Sequence, residues 1–204
     1  AGIAFGSAAP LQWGTKEHAA DFFDVKADVE ALLAPAVPQF EAAEHPAMHP
    51  GRCAKVLVNG QAVGHVGELH PRWRQSWELT QAPVMFELSL DAVLHRDVPK
   101  STGVAKFPNV ERDIAVIVKD SVTHAQLMAA VHAAKTQGFL RSAVLFDVYR
   151  PKAESAAMAM DEKSLAVRLT LNSDEATLNE AQIEGVVQAV LAELAAQVAA
   201  RLRA

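Results

Sequence analysis

S-A-V-L-F-D-V-Y-R, residues 142–150, is the stretch whose reading decides the fold of this 204-residue chain. β-Branched and aromatic residues crowd it and alternate, which predicts a strand. At period two, Val144, Phe146 and Val148 are expected on a core face, with Leu145, Asp147 and Tyr149 on the other. A carboxylate beside a phenol on an open sheet offers a hydrogen-bond acceptor next to a stacking ring. Such a pair suits a flat, donor-bearing ligand such as a nucleobase. By themselves an Asp and a Tyr are ordinary surface residues. The elements around them decide more.

Upstream, Arg112–Lys119 (R-D-I-A-V-I-V-K) reads as a strand, and Thr123-x-x-Gln126 as a capping box opening a helix to about Lys135. Leu127 and Val131 fall on one side of that helix. Downstream, a loop rich in Ala, Glu and Lys leads to Ser164–Leu171, whose alternation is strict. Leu165, Val167, Leu169 and Leu171 point one way; Ser164, Ala166, Arg168 and Thr170 point the other. Thr177-x-x-Glu180 is expected to cap a long last helix carrying Ile183, Val186, Val190 and Leu194. Residues 199–203 are either its final turns or a short closing strand. The order β-α-β-β-α-(β) is the split βαβ, ferredoxin-like arrangement, with helices on one face of an antiparallel sheet. Its open face is expected to gather Asp147, Tyr149, Ser164 and Arg168. RRM-type domains read single-stranded RNA on such a surface, although a fold alone does not establish a function.

The first half reads as a small mixed α/β unit. Ala1–Phe5 is short and apolar, and Gly6-Ser7-Ala8-Ala9-Pro10 interrupts it. Phe22, Val25, Val29, Leu32 and Leu33 recur at helical spacing over Asp21–Leu33, and Pro35 and Pro38 end the run. Phe40–Pro50 is expected to be loop. Asn59-Gly60 joins two strands, Ala54–Val58 and Ala62–Leu69, because it supplies the positive φ angles of a type I′ turn. Pro71–Trp77 reads as a helical turn and Val84–Leu90 as a further strand. Gly64 and Gly67 sit inside a hairpin strand, where close backbone packing or a bulge is expected rather than a phosphate loop. His45, His49 and Cys53 have the spacing H-x-x-x-H-x-x-x-C, which on one helix face could ligate zinc. Pro46 and Pro50 break such a helix and only His70 offers a fourth ligand, so no metal is expected. Polar, aperiodic residues 96–106 are expected to link a first domain, 1–95, to a second, 107–204.

Composition narrows the class. The chain is 50% hydrophobic and 21% charged, a globular balance. No apolar run approaches the roughly 18 residues that span a bilayer, and no signal-peptide pattern opens the chain. Cys53 is the only cysteine, which removes an intrachain disulfide framework and a four-cysteine cluster. A cytoplasmic protein without membrane association is expected. Residues 1–104 carry 8 Lys+Arg against 12 Asp+Glu, and residues 105–204 carry 11 against 12. Neither half is a generic polyanion binder, so any RNA contact has to be local and shape-specific. The opening A-G-I-A-F-G-S reads as the middle of a strand and loop, as expected of a piece of a longer chain.

Several motifs in order resemble one family. F-P-N-V-E-R-D-I-A-V-I-V (107–118), F-D-V-Y-R-P (146–151), K-S-L-A-V-R-L (163–169) and T-L-N-E (177–180) are similar to the ferredoxin-fold anticodon-binding domain that closes the β subunit of bacterial phenylalanyl-tRNA synthetases. F-G-S-A-A-P-L-Q-W-G (5–14), D-F-F-D-V-K-A-D-V-E-A-L-L (21–33), H-P-G-R-C-A (49–54) and V-G-H-V-G-E-L-H-P (63–71) resemble the end of that subunit's catalytic-like domain. The resemblance implies an α+β fold: a remnant of a class II synthetase-like domain followed by the anticodon-binding module. It implies a tRNA-binding and scaffolding role in an α2β2 ligase that joins phenylalanine to its tRNA using ATP and Mg²⁺. The active site of that ligase lies on the α subunit. No catalytic residue, metal or cofactor is then expected in this chain itself.

Carried over by position, F-D-x-Y implies that Asp147 and Tyr149 contact the first anticodon base, a guanine, with Ser164 on the neighbouring strand. Arg112, Arg150 and Arg168 are the expected phosphate or stem contacts. Where the family usually has Gly after F-D-x-Y-R, this chain has Pro151 and a longer alanine-rich loop, so no contact is carried over there. Two other classes fit the topology less well. A regulatory module binding a small metabolite would use the same split βαβ order. A hydrolase would need a nucleophile–base constellation, and Ser164 has no histidine adjacent in sequence.

Overall fold

Asp21 begins the first helix by a reciprocal cap. Its carboxylate accepts from the Phe23 and Asp24 amides, while Asp24 accepts from the Asp21 amide at 2.8 Å. In this computed structural model, which describes residues 1–96, 98, 106–151 and 158–203, the chain divides into two compact units, Ala1–Lys100 and Ser101–Ala204. Of the linker expected over 96–106, only Arg96, Val98 and Lys106 are among the described residues. No helix among the described residues is long and apolar enough to cross a membrane.

In the first unit the elements run β1 (Gly2–Ala4), α1 (Phe22–Leu33), β2 (Gln39–Ala42), β3 (Met48–Val58), β4 (Gln61–Leu69), α2 (Pro71–Ser76), β5 (Val84–Leu88) and α3 (Leu90–Leu94). The antiparallel sheet has the order β1-β5-β4-β3-β2. α1 buries Val25, Val29 and Leu33 against Ala54, Val56, Val66 and Val84, the core of this unit. Asn59 and Gly60 adopt φ of 51° and 77°, and the β3–β4 hairpin turns on them as expected. Phe40–Pro50 is not a continuous loop. Phe40 pairs with Val56 in edge strand β2, and β3 already begins at Met48. The ladder is irregular between Met48 and Cys53, which accommodates Pro50 without requiring an amide from it. Residues 45, 49 and 53 do not converge either. Cys53 is buried 3.5 Å from the Met48 sulfur, while the His45 ring lies against His65, centroids 5.3 Å apart.

The second unit runs β6 (Val110–Lys119), α4 (His124–Ala133), β7 (Leu140–Tyr149), β8 (Glu162–Leu171), α5 (Glu180–Val198) and β9 (Arg201–Leu202), in the sheet order β7-β8-β6-β9. This is the ferredoxin-like arrangement. α4 opens on the Thr123–Gln126 box. α5 opens two residues later than Thr177: Asn179 and Gln182 exchange side-chain–backbone bonds at 2.9 Å. Leu178 and Ile183 flank that cap and are buried in the same core, a hydrophobic staple that fixes where the helix starts. At its other end Ala199 turns left-handed at φ 51°, and the chain closes as a strand against Val116 and Ile117. Leu165, Val167, Leu169 and Leu171 are all buried beneath the helices, with Ile114, Val116, Val118, Leu127 and Val190.

β7 departs from simple alternation. Leu145 lies opposite Val167 and packs on the core, but the next paired residue is Asp147, opposite Ala166. Phe146 is the extra residue of a bulge. Val144, opposite Arg168, and Phe146 are therefore exposed, not core, and Leu145 is not on the open face. Val148 opposes buried Leu165 at the sheet edge and remains partly exposed. Asp147 and Tyr149 keep the expected side. Leu145→Ala is accordingly expected to destabilise by at least about 1 kcal/mol more than Val144→Ala in chemical denaturation. Equal losses would mean that the bulge is misplaced.

Candidate nucleic-acid interface

Residues opposed in an antiparallel ladder share a face, so the register of this sheet lays out its open side row by row. The first row is Tyr149, Ser164, Ile117 and Arg201; the second is Asp147, Ala166 and Ala115; the third is Val144, Arg168 and Asp113. Arg203 joins the second row, its amide donating to the Ala115 carbonyl. Asp147 thus stands at the end of a row floored by two alanines. It is exposed, and no hydrogen bond or ion pair engages it among the described residues.

A ring stands on each side of Asp147. Tyr149 is 45% exposed with the Arg203 guanidinium carbon 5.3 Å from its centroid. Phe146 is 53% exposed with the Arg168 guanidinium carbon also 5.3 Å away. Arg168 is held in its plane by Asp113 through Nε and Nη2, both at 2.8 Å, with Glu111 at 3.5 Å. The hydrogen bonds from Arg168 hold the Asp113 carboxyl below the usual carboxylate range, and the same pair pushes the Arg168 pKa further up.

The remaining expected residues lie elsewhere or are covered. Ser164 has the expected side but is only 3% exposed, between Tyr149 and Ile117, and its hydroxyl accepts from Arg203 at 3.4 Å. Arg112 is not on this face. It opposes core residue Leu169 in the ladder, which puts it on the helix side, where it pairs with Glu180 of α5 at 3.2 Å. Arg150 follows the end of β7 and pairs with Asp120 at 3.0 Å. Residues 152–157 of the loop after Pro151 lie outside the described residues. The structure adds two residues that sequence reasoning missed, Phe146 and Arg203. The adjacent apolar pair Leu145-Phe146 was the signal for the first, since strict alternation cannot bury both. Nothing short of pairing the closing strand locates Arg203.

In the first unit a cavity of about 500 Å³ is lined by Phe22, Phe23, Phe40 and Cys53. Its charged groups are already engaged: Asp21 caps α1, and Arg52 closes on Glu68 through 2.9 Å bonds. That leaves no nucleophile–base pair in its wall.

Residues 105–203 match the ferredoxin-fold anticodon binding domain, and residues 1–90 match the phenylalanyl tRNA synthetase beta chain CLM domain. The chain belongs to the phenylalanyl-tRNA synthetase beta-chain family. Among its relatives in that family is the phenylalanine–tRNA ligase beta subunit of Cupriavidus pinatubonensis, 50% identical over 207 residues, covering 100% of this chain and 25% of the relative. The corresponding beta subunits of Ralstonia nicotianae and Chromobacterium violaceum are 47% and 46% identical, with 100% of this chain covered and 26% and 25% of theirs. The chain spans about a quarter of the length of these relatives.

Proposed function

We propose that the second unit binds the anticodon stem-loop of a phenylalanine tRNA, and that the first unit is a non-catalytic scaffold. Both act within the beta subunit of a cytoplasmic α2β2 phenylalanine–tRNA ligase. Aminoacylation, with its ATP and Mg²⁺, belongs to the α subunit. The observation that carries this reading is the unengaged Asp147 carboxylate standing between two half-exposed rings over a floor of alanines. A carboxylate accepts from guanine N1–H and N2–H₂ together, whereas adenine offers an acceptor at N1 and no amine at C2. Tyr149 supplies a stacking surface, and Arg203 a cation beside it. Ser164 takes part only if Arg203 moves off its hydroxyl. Arg168 acts through its grip on Asp113 and Phe146, not as an uncommitted phosphate ligand. Arg112 and Arg150 contact RNA only by giving up Glu180 and Asp120.

The test is binding of the α2β2 enzyme to phenylalanine tRNA and to the same tRNA with its first anticodon guanine changed to adenine. Tyr149→Ala is expected to weaken binding about 5–150-fold, the equivalent of one stacked base. Its thermal stability should change by less than about 1 kcal/mol, because the ring is half exposed. Asp147→Asn is expected to narrow the preference for guanine. An unchanged preference removes Asp147 from base reading, and unchanged affinity in both variants refutes the site.

A further inference from the structure

Phe146 has no role in the core, and the reading above uses it only as the second ring beside Asp147 and the partner of Arg168. The bulge lifts it out of the alternation of β7 and leaves it half exposed on the face that carries Asp147. Its environment repeats that of Tyr149: a guanidinium carbon at 5.3 Å and about half of the surface still open. Arg168 is also pre-set, because Asp113 fixes the guanidinium through two parallel bonds.

We propose that Phe146 is a second stacking platform, so that this face holds two anticodon-loop bases, one on Tyr149 and a neighbouring one on Phe146. The inference rests on the assignment of this face to the anticodon loop and extends it. Two residues, Asp147 and Val148, lie between the rings. Because Phe146 is the extra residue of the bulge, its row lies about two partner residues from that of Tyr149, roughly 7 Å at the usual rise. Bases stacked on one another rise only about 3.4 Å, so the two platforms accept bases splayed apart. Unpaired loops present bases in that way, and aromatic side chains on ferredoxin-like sheets take them singly. Phe146 has no donor or acceptor, and neither does the alanine floor beside it, so this platform contributes affinity without choosing a base. Identity is then read at Asp147 and grip is shared by both rings.

The experiment compares the α2β2 enzyme and its Phe146→Ala, Phe146→Leu and Tyr149→Ala variants. The ligands are phenylalanine-tRNA anticodon stem-loops, intact or with one loop base at a time removed to leave an abasic sugar. Phe146→Ala and Phe146→Leu are expected to weaken binding of the intact stem-loop by about 5–150-fold. The guanine-over-adenine preference at the first anticodon base should stay unchanged. One abasic position other than the first should abolish the difference between wild type and Phe146→Leu. Wild-type affinity in Phe146→Leu beside weakened Tyr149→Ala overturns the second platform and leaves the anticodon site standing. A loss of equal size at every abasic position also overturns it, because the ring would then act on the fold. Wild-type affinity in all variants overturns both the platform and the reading beneath it.

Discussion

Leu169→Ala is expected to destabilise the second unit by about 2–5 kcal/mol. Leu169 is fully buried in the layer between β8 and the two helices, with Val167 and Leu171 on the same side of the strand. Truncation removes methyl and methylene groups from contact with rigid neighbours, and strands paired on both sides cannot close the space. A domain of this size has about 5–15 kcal/mol to lose in total. The midpoint of thermal unfolding should therefore fall by roughly 4–8 °C for each kcal/mol removed. Tyr149→Ala, on the adjacent strand but the opposite face, serves as the contrast. If calorimetry gave the two variants equal midpoints, the assignment of the sheet's two faces would be wrong.

Gly64→Ala should be nearly as damaging to the first unit, for a different reason. Gly64 lies in β4 between Val56 and Leu88, and a Cβ built on it would sit 2.0 Å from the Glu87 carbonyl oxygen and 2.9 Å from the Leu88 Cα. Both are backbone atoms of the neighbouring strand, so no side chain can swing aside. One ladder has to open. A loss of about 3 kcal/mol, at the upper end of overpacking costs, is expected in urea denaturation. Gly60 is the informative comparison. A Cβ there meets nothing within 4 Å, and the only objection to alanine is the φ of 77°, worth roughly 1–2 kcal/mol. Should Gly60→Ala prove the more harmful, the close approach of β4 and β5 would not be the reason for glycine at position 64.

The order of elements in the second unit was legible because its signals are redundant. Four leucine and valine residues at strict period two, a capping box and a long amphipathic run each point to the same arrangement. The side of Arg112 was equally legible, since it shares parity with Ile114, Val116 and Val118. A guanidinium at that position meets α5, not an open face. The bulge was not legible from period alone. Two apolar residues in succession, Leu145 and Phe146, fit either parity, and only the pairing with β8 decides between them. Edge strand β2 escaped because four residues next to a proline-bearing stretch carry too little pattern, and their partner β3 defines them. The N-terminus of α5 was read at Thr177, and burial of Leu178 and Ile183 on either side of the Asn179–Gln182 cap sets it two residues later.

Tyr149 is the only tyrosine in the sequence. Biosynthetic replacement of tyrosine by 3-fluorotyrosine therefore places one fluorine nucleus in this chain, at the half-exposed ring beside Arg203 and Asp147 and nowhere else. A single ¹⁹F resonance then reports directly on that ring. A guanine settling on it should shift the line by ring current, departure of Arg203 should change its width, and titration with an RNA that misses the site should leave it where it was.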